Sequence, residues 1–384
     1  MITDGLLMLG VLLGLSCLLI VLERTTGWKF FTFVPVMVLM YLLCATLNSL
    51  GMFGDAGETR APIAAVKDVA LPAMIFLFLF GCDIRRIIKL GPKLLLTMFV
   101  AAASLAVGMV AVYAVFQSAL HEESWKALGA LLASWTGGSA NMVAVQDILQ
   151  APENIFGYAL ITDTIVYSAW LMAMFSSVAV SDRFNRFTKA NTSYLDSHAG
   201  ADLAEEKREI TVTSLAIVAF GSIFVSTVAI WIGGQLPVLG DVVNGTAWTI
   251  LIVSLLGLIV AHTPLGKVAG SMEVGTLMLF IVIGQIASGS DFSALTQAPL
   301  YLLIGFLVLL VHAVIMVIYA KLTRTELFSL AVASTANIGG IASAPVVASA
   351  FNRQLVPVGV LFALIGSFAG TWIGLGAAQL MSML

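Results

Sequence analysis

The chain has 384 residues, of which 60% are hydrophobic and only 10% are charged, whereas a soluble domain carries about 25% charged residues. The mean hydropathy of +1.04 therefore predicts an all-α polytopic membrane protein. The net charge of −3 and the absence of long basic or acidic runs in the sequence argue against a nucleic-acid partner. The cysteines, Cys17, Cys44 and Cys82, lie in separate apolar segments, so their spacing indicates neither a disulfide framework nor a metal site.

Runs of about 20 apolar residues are long enough to cross the roughly 30 Å hydrocarbon layer as helices. The sequence contains twelve such segments, at 5–22, 31–53, 63–84, 93–117, 127–150, 155–181, 210–233, 247–262, 268–289, 299–321, 327–351 and 355–382. The polar stretch 182–209 predicts a water-exposed linker between a first membrane repeat, 1–181, and a second, 210–384.

The two halves share an internal similarity, because GPKLLLTMF at 91–99 can be aligned with APLYLLIGF at 298–306. Lys and Arg follow mainly odd-numbered segments in the first half and even-numbered ones in the second. Since basic loops prefer the cytoplasm, this bias predicts inverted repeats. Six crossings per half would instead make the halves parallel, so one crossing is miscounted. The short segment 247–262 and two interrupted helices are the least regular.

The interrupted helices are the segments 127–150 and 327–351, which carry glycine pairs and small polar side chains at matching places. These residues are Ser134, Thr136, Gly137, Gly138, Ser139 and Asn141 in the first, and Ser334, Thr335, Asn337, Gly339, Gly340 and Ser343 in the second. Non-helical backbone inside a bilayer persists only where protein or a watery cavity satisfies its polar groups. A paired interruption therefore indicates a transport site.

The phrases LLASWTGGSANMVAVQ and STANIGGIASAPVVASAF make the chain resemble the YjcL-like family of uncharacterised multi-pass membrane proteins over most of its length. That family is placed near the sodium/glutamate symporters, the bile-acid sodium symporters and the NhaA-type cation/proton antiporters. The resemblance implies inverted repeats, two discontinuous helices that cross near the midplane, and a mobile core that slides against a scaffold. The antiporters pair acids at the break, whereas both breaks here carry neutral polar residues, which disfavours plain cation/proton antiport.

At a broken helix, exposed carbonyls and amide donors lie close together, and neutral side-chain oxygens beside them suit a hard cation. We therefore predict that the twelve residues of the two breaks bind the solute. Sodium is expected to bind at the helix breaks, with Asn141 and Asn337 as ion-coupling residues and no other cofactor. The alternative is that these small and hydroxylated residues serve only to pack helices in the membrane.

Four acidic side chains lie in or near apolar segments. Asp163 lies about two turns into the sixth segment, where a charge is costly, so we predict an ion-coupling role; a protonated structural acid is the alternative. Glu273 is a further ion-coupling candidate, and Asp68 is its counterpart in the third segment. The alternative is that both acids lie at the membrane interface and have no role in coupling. Asp147, near the end of an interrupted helix, is expected to be solvated, and His312 to be packed and hydrogen-bonded.

These features predict a secondary active transporter for a small, anionic organic solute, coupled to sodium or protons, in the plasma (bacterial inner) membrane. Segments four to six and ten to twelve would form a core that moves like an elevator, and the others a scaffold and a candidate homodimer surface. The solute and the lipid bilayer are the expected partners. Cation/proton antiport remains the alternative, followed by a channel. The sequence has no clustered catalytic side chains or enzyme motifs, so we do not expect an enzyme.

Overall fold

The computed structural model describes the chain except residues 29, 34–35, 55, 82–83, 89, 193–194, 196–208, 239–243, 290–297 and 353–354. Most of the predicted linker, 182–209, therefore lies outside the described residues. The helices are α1 (Gly5–Thr26), α2 (Phe30–Phe33), α3 (Val36–Ser49), α4 (Gly57–Phe78), α5 (Ile84–Ile88), α6 (Gly91–Phe116), α7 (Ser124–Gly137), α8 (Ser139–Leu149), α9 (Glu153–Ser177), α10 (Ser181–Thr188), α11 (Val212–Gly233), α12 (Gly245–Ala261), α13 (Ser271–Ala287), α14 (Ala298–Thr323), α15 (Leu327–Ile338), α16 (Gly340–Phe351) and α17 (Val356–Met381).

The prediction of an all-α polytopic membrane protein is confirmed. Within the described residues, seven helices are long and apolar enough to cross a membrane: Gly5–Thr26, Gly57–Phe78, Gly91–Ala119, Glu153–Thr188, Val212–Gly233, Ala298–Thr323 and Val358–Met381. Shorter apolar helices, among them Gly245–Ala261 and Ser271–Ala287, account for further predicted segments. Helix α4 begins six residues before the predicted boundary, and Arg60 in its first turn donates to the Ser288 carbonyl at 3.2 Å.

Side chains at several helix starts satisfy backbone amides that have no partner within the helix. Asp4 accepts from the amide of Leu7 at 2.7 Å at the start of α1. Thr211 and Ser214 form a capping box at the start of α11, and Asn244 accepts from Ala247 at 3.0 Å at the start of α12. These local signals fix where the membrane helices begin.

The chain divides into two compact units, each drawn from both sequence halves. Unit 1 comprises residues 1–80, 146–164 and 208–299, and unit 2 comprises 81–145, 165–207 and 300–384. In unit 1, helix α4 packs against α1, α11, α12 and α13. Helices α12 and α13 can approach α4 closely because each presents a glycine to it. An added Cβ on Gly257 of α12 would lie 2.9 Å from the Phe76 carbonyl, and one on Gly275 of α13 would lie 2.9 Å from the Phe78 ring.

Unit 2 contains both helix breaks, with α7, the first part of α8, α15 and α16, together with α6, α17, the second part of α9 and nearly all of α14. Helices α6 and α14, which the internal similarity aligns, run antiparallel. Thr97 near the start of α6 lies 3.0 Å from Tyr319 near the end of α14. Farther along α6, an added Cβ on Gly108 would lie 3.0 Å from the carbonyl of Val308, earlier in α14. Antiparallel counterparts are what inverted repeats require and what parallel repeats exclude.

Candidate functional site

The first predicted break lies at Gly138. Helix α7 ends at Gly137 and α8 begins at Ser139, and Gly138 between them has φ +94° and ψ 172°. A side chain at that φ would be strained, so glycine permits the break. The Gly138 amide still donates to the Ser134 carbonyl at 2.7 Å. The break therefore exposes the carbonyls of the residues that follow Ser134 in the last turn of α7.

The second predicted break lies at Gly339 and Gly340. Helix α15 ends at Ile338 and α16 begins at Gly340, whose φ is +61°. Gly339 has an ordinary φ of −118°, but an added Cβ there would lie 2.6 Å from the Tyr167 ring. One glycine of the pair thus permits the backbone turn, and the other permits close packing. Both breaks are confirmed at the predicted glycines.

The second interrupted helix reverses direction and does not cross the membrane. Phe328, at the start of α15, packs edge to face on Phe351, at the end of α16, with ring centroids 5.9 Å apart. In a continuous helix these two residues would be separated by about 35 Å. Helices α15 and α16 therefore form a re-entrant hairpin, which we call hairpin 2.

The neighbouring helices give the direction of the first interrupted helix. Helix α7 runs antiparallel to α17, because an added Cβ on Gly129 would lie 2.7 Å from the Ala378 Cβ and one on Gly137 would lie 2.6 Å from the Gly366 carbonyl. Helix α17 in turn runs antiparallel to α16. An added Cβ on Gly359 lies 2.8 Å from the Ala344 carbonyl, and one on Gly366, farther along α17, lies 3.7 Å from the Ala336 carbonyl, which precedes the start of α16. Helices α7 and α16 are therefore parallel, and α15 opposes both.

Helix α9 also opposes α15. Past the C-terminal end of α9, the Asn185 side chain accepts from the amide of Leu327, at the start of α15, at 2.9 Å. Deeper in the unit, Trp170 of α9 donates to Ser334 of α15 at 2.9 Å. Helix α9 is thus parallel to α7. The link 150–152 spans at most about 15 Å, so α9 must begin close to the end of α8. If α8 continued in the direction of α7, α9 would begin at the far end of the unit and could not run parallel to α7. Helix α8 therefore reverses direction, and α7 with α8 forms a second re-entrant hairpin, hairpin 1.

The two discontinuous helices that the resemblance implies are thus present, each as a re-entrant hairpin. If the interrupted helix 127–150 is a re-entrant hairpin, five of the six predicted segments of the first half remain as crossings, so this helix is the miscounted one. An odd number of crossings inverts the second half, which reconciles the count with the Lys and Arg bias. One end of unit 2 brings together Lys93 and Arg324, with the Lys93 ammonium 3.4 Å from the Arg324 carbonyl. The positive-inside rule predicts that this end is cytoplasmic.

The two hairpin tips meet at Gly366 of α17. An added Cβ on Gly366 would lie 2.6 Å from the Thr136 carbonyl and 3.7 Å from the Ala336 carbonyl. The C-terminal ends of α7 and α15 thus converge, and each carries a partial negative charge. No charged residue occurs in 134–141 or in 334–343. These two stretches therefore supply oxygen acceptors and no charged side chain.

The asparagines of the two tips have different roles. Asn141 donates to the Ser367 carbonyl at 3.2 Å and accepts from the Thr371 hydroxyl at 2.6 Å, which fastens hairpin 1 to α17. Asn337 is fully buried and donates from Nδ2 to the Ala333 carbonyl at 2.9 Å. Its Oδ1 accepts no hydrogen bond from the described residues. A buried unpaired amide oxygen is costly, and a bound cation would satisfy it.

Most of the predicted hydroxyl groups are engaged within the protein. Thr136 and Thr335 donate to the carbonyls four residues earlier, at 2.8 and 2.7 Å, which leaves their oxygen lone pairs for a cation. Ser343 hydrogen-bonds Tyr167, and Ser334 accepts from Trp170. Ser139 is half-buried in the first turn of α8.

The predicted acids are not in the unit that contains the tips. Asp163 is half-buried in α9 and belongs to unit 1. Glu273 is exposed in the first turn of α13, also in unit 1. Asp68 has a side chain that is 60% exposed and lies 3.0 Å from the Lys67 ammonium. The ion-coupling role of Asp163 and Glu273 stays a prediction.

The expectation that Asp147 is solvated is wrong. Asp147 is 9% exposed and forms an ion pair with Lys67 of α4. The neighbouring Gln146 is also buried and donates to the Ala151 carbonyl at 3.0 Å, which closes the end of α8. Lys67 lies eighty positions away in the chain, so no local pattern around Asp147 could have indicated its partner.

Glycines at intervals of four on α17 are a feature that the sequence analysis missed. Gly366, Gly370 and Gly374 face Gly137 and Ala133 of α7 at contact distance. The small-xxx-small spacing is a known signal for close helix packing in membranes, and it was present in the sequence. It brings the tip of hairpin 1 against the backbone of α17.

Comparison with known proteins bears on the whole chain. A sequence profile of the family described as Protein of unknown function (DUF819) matches residues 10–384. The chain is also similar to the Uncharacterized membrane protein YjcL of Bacillus subtilis (strain 168), with 24% identity over 326 residues, 80% of this chain and 82% of that protein. The predicted resemblance to a YjcL-like membrane family is confirmed, and the family match includes both hairpins.

Proposed function

The chain belongs to the DUF819 family of proteins of unknown function. From the geometry of the two hairpins we propose that it is a secondary active transporter. It moves a small organic solute by alternating access. The observation that carries this proposal is the meeting of two re-entrant hairpins, from opposite ends of unit 2, at Gly366. Irregular backbone at this depth serves transport sites because it presents polar groups where membrane helices otherwise have none.

Sodium is the coupling ion that the tips fit best. The converging carbonyls of Thr136 and Ala336, the lone pairs of Thr136 and Thr335, and the unpaired Oδ1 of Asn337 are hard oxygen donors. A bound cation would in turn attract an anionic solute to the amide donors at the starts of α8 and α16. Proton coupling through Asp163 is the second version of the proposal, because an acid in a membrane helix is a functional candidate.

Cation/proton antiport is the alternative function. It requires a titrating acid at the site, and residues 134–141 and 334–343 contain none. A solute transporter therefore accounts for the tips better than an antiporter does. In this proposal unit 2 carries the solute, unit 1 is the scaffold, and the protein resides in the plasma membrane.

The test is transport by purified protein in liposomes, with a panel of small organic anions and an imposed sodium or proton gradient. We expect uptake of at least one anion that depends on the sodium gradient. Asn337→Ala should weaken the apparent sodium affinity by about 5- to 150-fold, which corresponds to about 1–3 kcal/mol for one lost ligand. Ser349→Ala is the matched control, because its hydroxyl only returns to the Val346 carbonyl of its own helix, at 2.7 Å.

Two results would contradict the proposal. One is sodium-driven cation/proton exchange without solute movement, which would favour the antiporter. The other is unchanged sodium affinity in well-expressed Asn337→Ala protein, which would show that Asn337 is not an ion ligand.

A further inference from the structure

His312 of α14 joins four helices of unit 2 through a chain of hydrogen bonds. Its Nδ1 lies 2.6 Å from the Ser104 hydroxyl of α6, and its Nε2 lies 2.8 Å from the Ser334 hydroxyl of α15. Trp170 of α9 donates to Ser334 at 2.9 Å, and its ring packs edge to face on the imidazole at 5.8 Å. His312, Ser104 and Ser334 are each at most 3% exposed.

The neighbouring groups indicate which atoms donate and which accept in this series of hydrogen bonds. The Ser104 hydroxyl donates to the Ala101 carbonyl at 2.7 Å, so its oxygen accepts from His312, and Nδ1 carries the hydrogen. An indole N–H can only donate, so the Ser334 oxygen accepts from Trp170. The Ser334 hydrogen then points to the unprotonated Nε2. The pattern therefore assigns His312 as the neutral Nδ1–H tautomer.

The surroundings of the imidazole favour this neutral form. The described groups that contact it include the Ser104 hydroxyl and the Ala101 backbone carbonyl from α6, the Ser334 hydroxyl from α15 and the Trp170 indole from α9. These groups are uncharged, so an imidazolium here would be a buried charge without a counterion, which is strongly unfavourable. Protonation at Nε2 would also force the Ser334 hydroxyl to turn away.

We propose that His312 is a positioning residue that holds the first arm of hairpin 2 in place, and that Ser334 acts in this chain and not as a ligand of the solute or ion. Ser334 lies one turn before the tip residues Asn337 and Ile338, so its bond to His312 fixes their depth beside α6, α9 and α14. The positional role rests on the proposed function only in assuming that hairpin 2 carries the transport site.

The tautomer is tested directly with the intact protein. His121, His198 and His262 are replaced by Gln, which leaves His312 as the single histidine, and its ¹⁵N resonances are recorded in the membrane between about pH 5 and pH 8, the range in which an ordinary histidine titrates. We expect a neutral Nδ1–H imidazole throughout. An Nε2–H tautomer, or a titration in that range, would overturn the assignment.

The positional role is tested by a double-mutant cycle. We expect Ser334→Ala and His312→Ala each to lower thermal stability, and the double variant to lose no more than the worse single one, because each breaks the same chain. Ser334→Thr keeps the hydroxyl and should retain both stability and transport. His262→Gln is the control, since His262 belongs to unit 1, where its Nδ1 lies 2.7 Å from the Leu258 carbonyl of α12.

A fluorinated tryptophan label gives a signal that general destabilisation does not move. The ¹⁹F resonance of Trp170, identified by Trp170→Phe, should shift in Ser334→Ala and His312→Ala and stay unchanged in Ser334→Thr and His262→Gln. Additive losses in the cycle, or an unmoved Trp170 signal, would overturn the proposal. These readouts do not require transport, so failure of the proposed function and failure of this inference are distinguishable.

Discussion

The packing of hairpin 1 on α17 can be tested at Gly370. An added Cβ there would lie 2.6 Å from the Gly137 Cα, 2.8 Å from its amide nitrogen and 2.9 Å from the Ala133 carbonyl. All three are backbone atoms, which cannot rotate away. Gly376, six residues later in the same helix, has nothing within 4 Å of its added Cβ. Gly370→Ala and Gly376→Ala therefore make the same chemical change in two different surroundings.

The expected magnitudes follow from these distances. Carbon atoms in contact prefer about 3.5–4.0 Å, so Gly370→Ala must push α7 and α17 apart by roughly 1 Å along the glycine stripe. Overpacking of this kind typically costs about 1–3 kcal/mol, and membrane helices depend on such close contact for association. Gly376→Ala meets no clash and gains up to about 1 kcal/mol of helix propensity. We expect the two variants to differ by about 1–4 kcal/mol.

The assay is the thermal stability of each variant in detergent, measured as the loss of the monodisperse species on heating. Gly370→Ala should melt well below the parent protein, and Gly376→Ala at or above it. Gly370→Ala should also reduce transport, because Gly137 belongs to the tip of hairpin 1. Equal melting of the two variants would refute the packing of α7 on α17, and with it the topology derived from that packing.

Three further predictions concern charge and topology. Asp147→Ala should lower stability by about 3 kcal/mol, because it leaves the buried Lys67 ammonium without its main partner, and the double variant with Lys67→Met should recover much of that loss on thermal unfolding. Single cysteines at Leu322 and Glu122, in a cysteine-free background, should react with an impermeant reagent from opposite membrane faces, and labelling from one face would contradict the hairpins. Asp163→Asn should remove the ion or pH dependence of transport if that acid carries the coupling, and an unchanged dependence excludes it.

The amino-acid sequence determines the helices and the positions of their breaks. In a bilayer every backbone group needs an internal partner, so apolar runs must form helices. A glycine pair amid polar side chains, such as Gly137 and Gly138, marks the place where the helix stops, because the positive φ at Gly138 suits glycine alone. These are local constraints, and local sequence was sufficient to predict them.

Only the tertiary structure decided whether the chain continues or reverses after each break. Gly138 and Gly340 permit either course, and the choice is made by contacts between distant residues, such as Phe328 with Phe351. The same holds for Asp147, whose partner Lys67 lies on another helix, and for Ser334, whose hydroxyl is bound by His312. The energies of burial, ion pairing and hydrogen bonding depend on which atoms meet in space, and that is not a property of any local stretch of sequence.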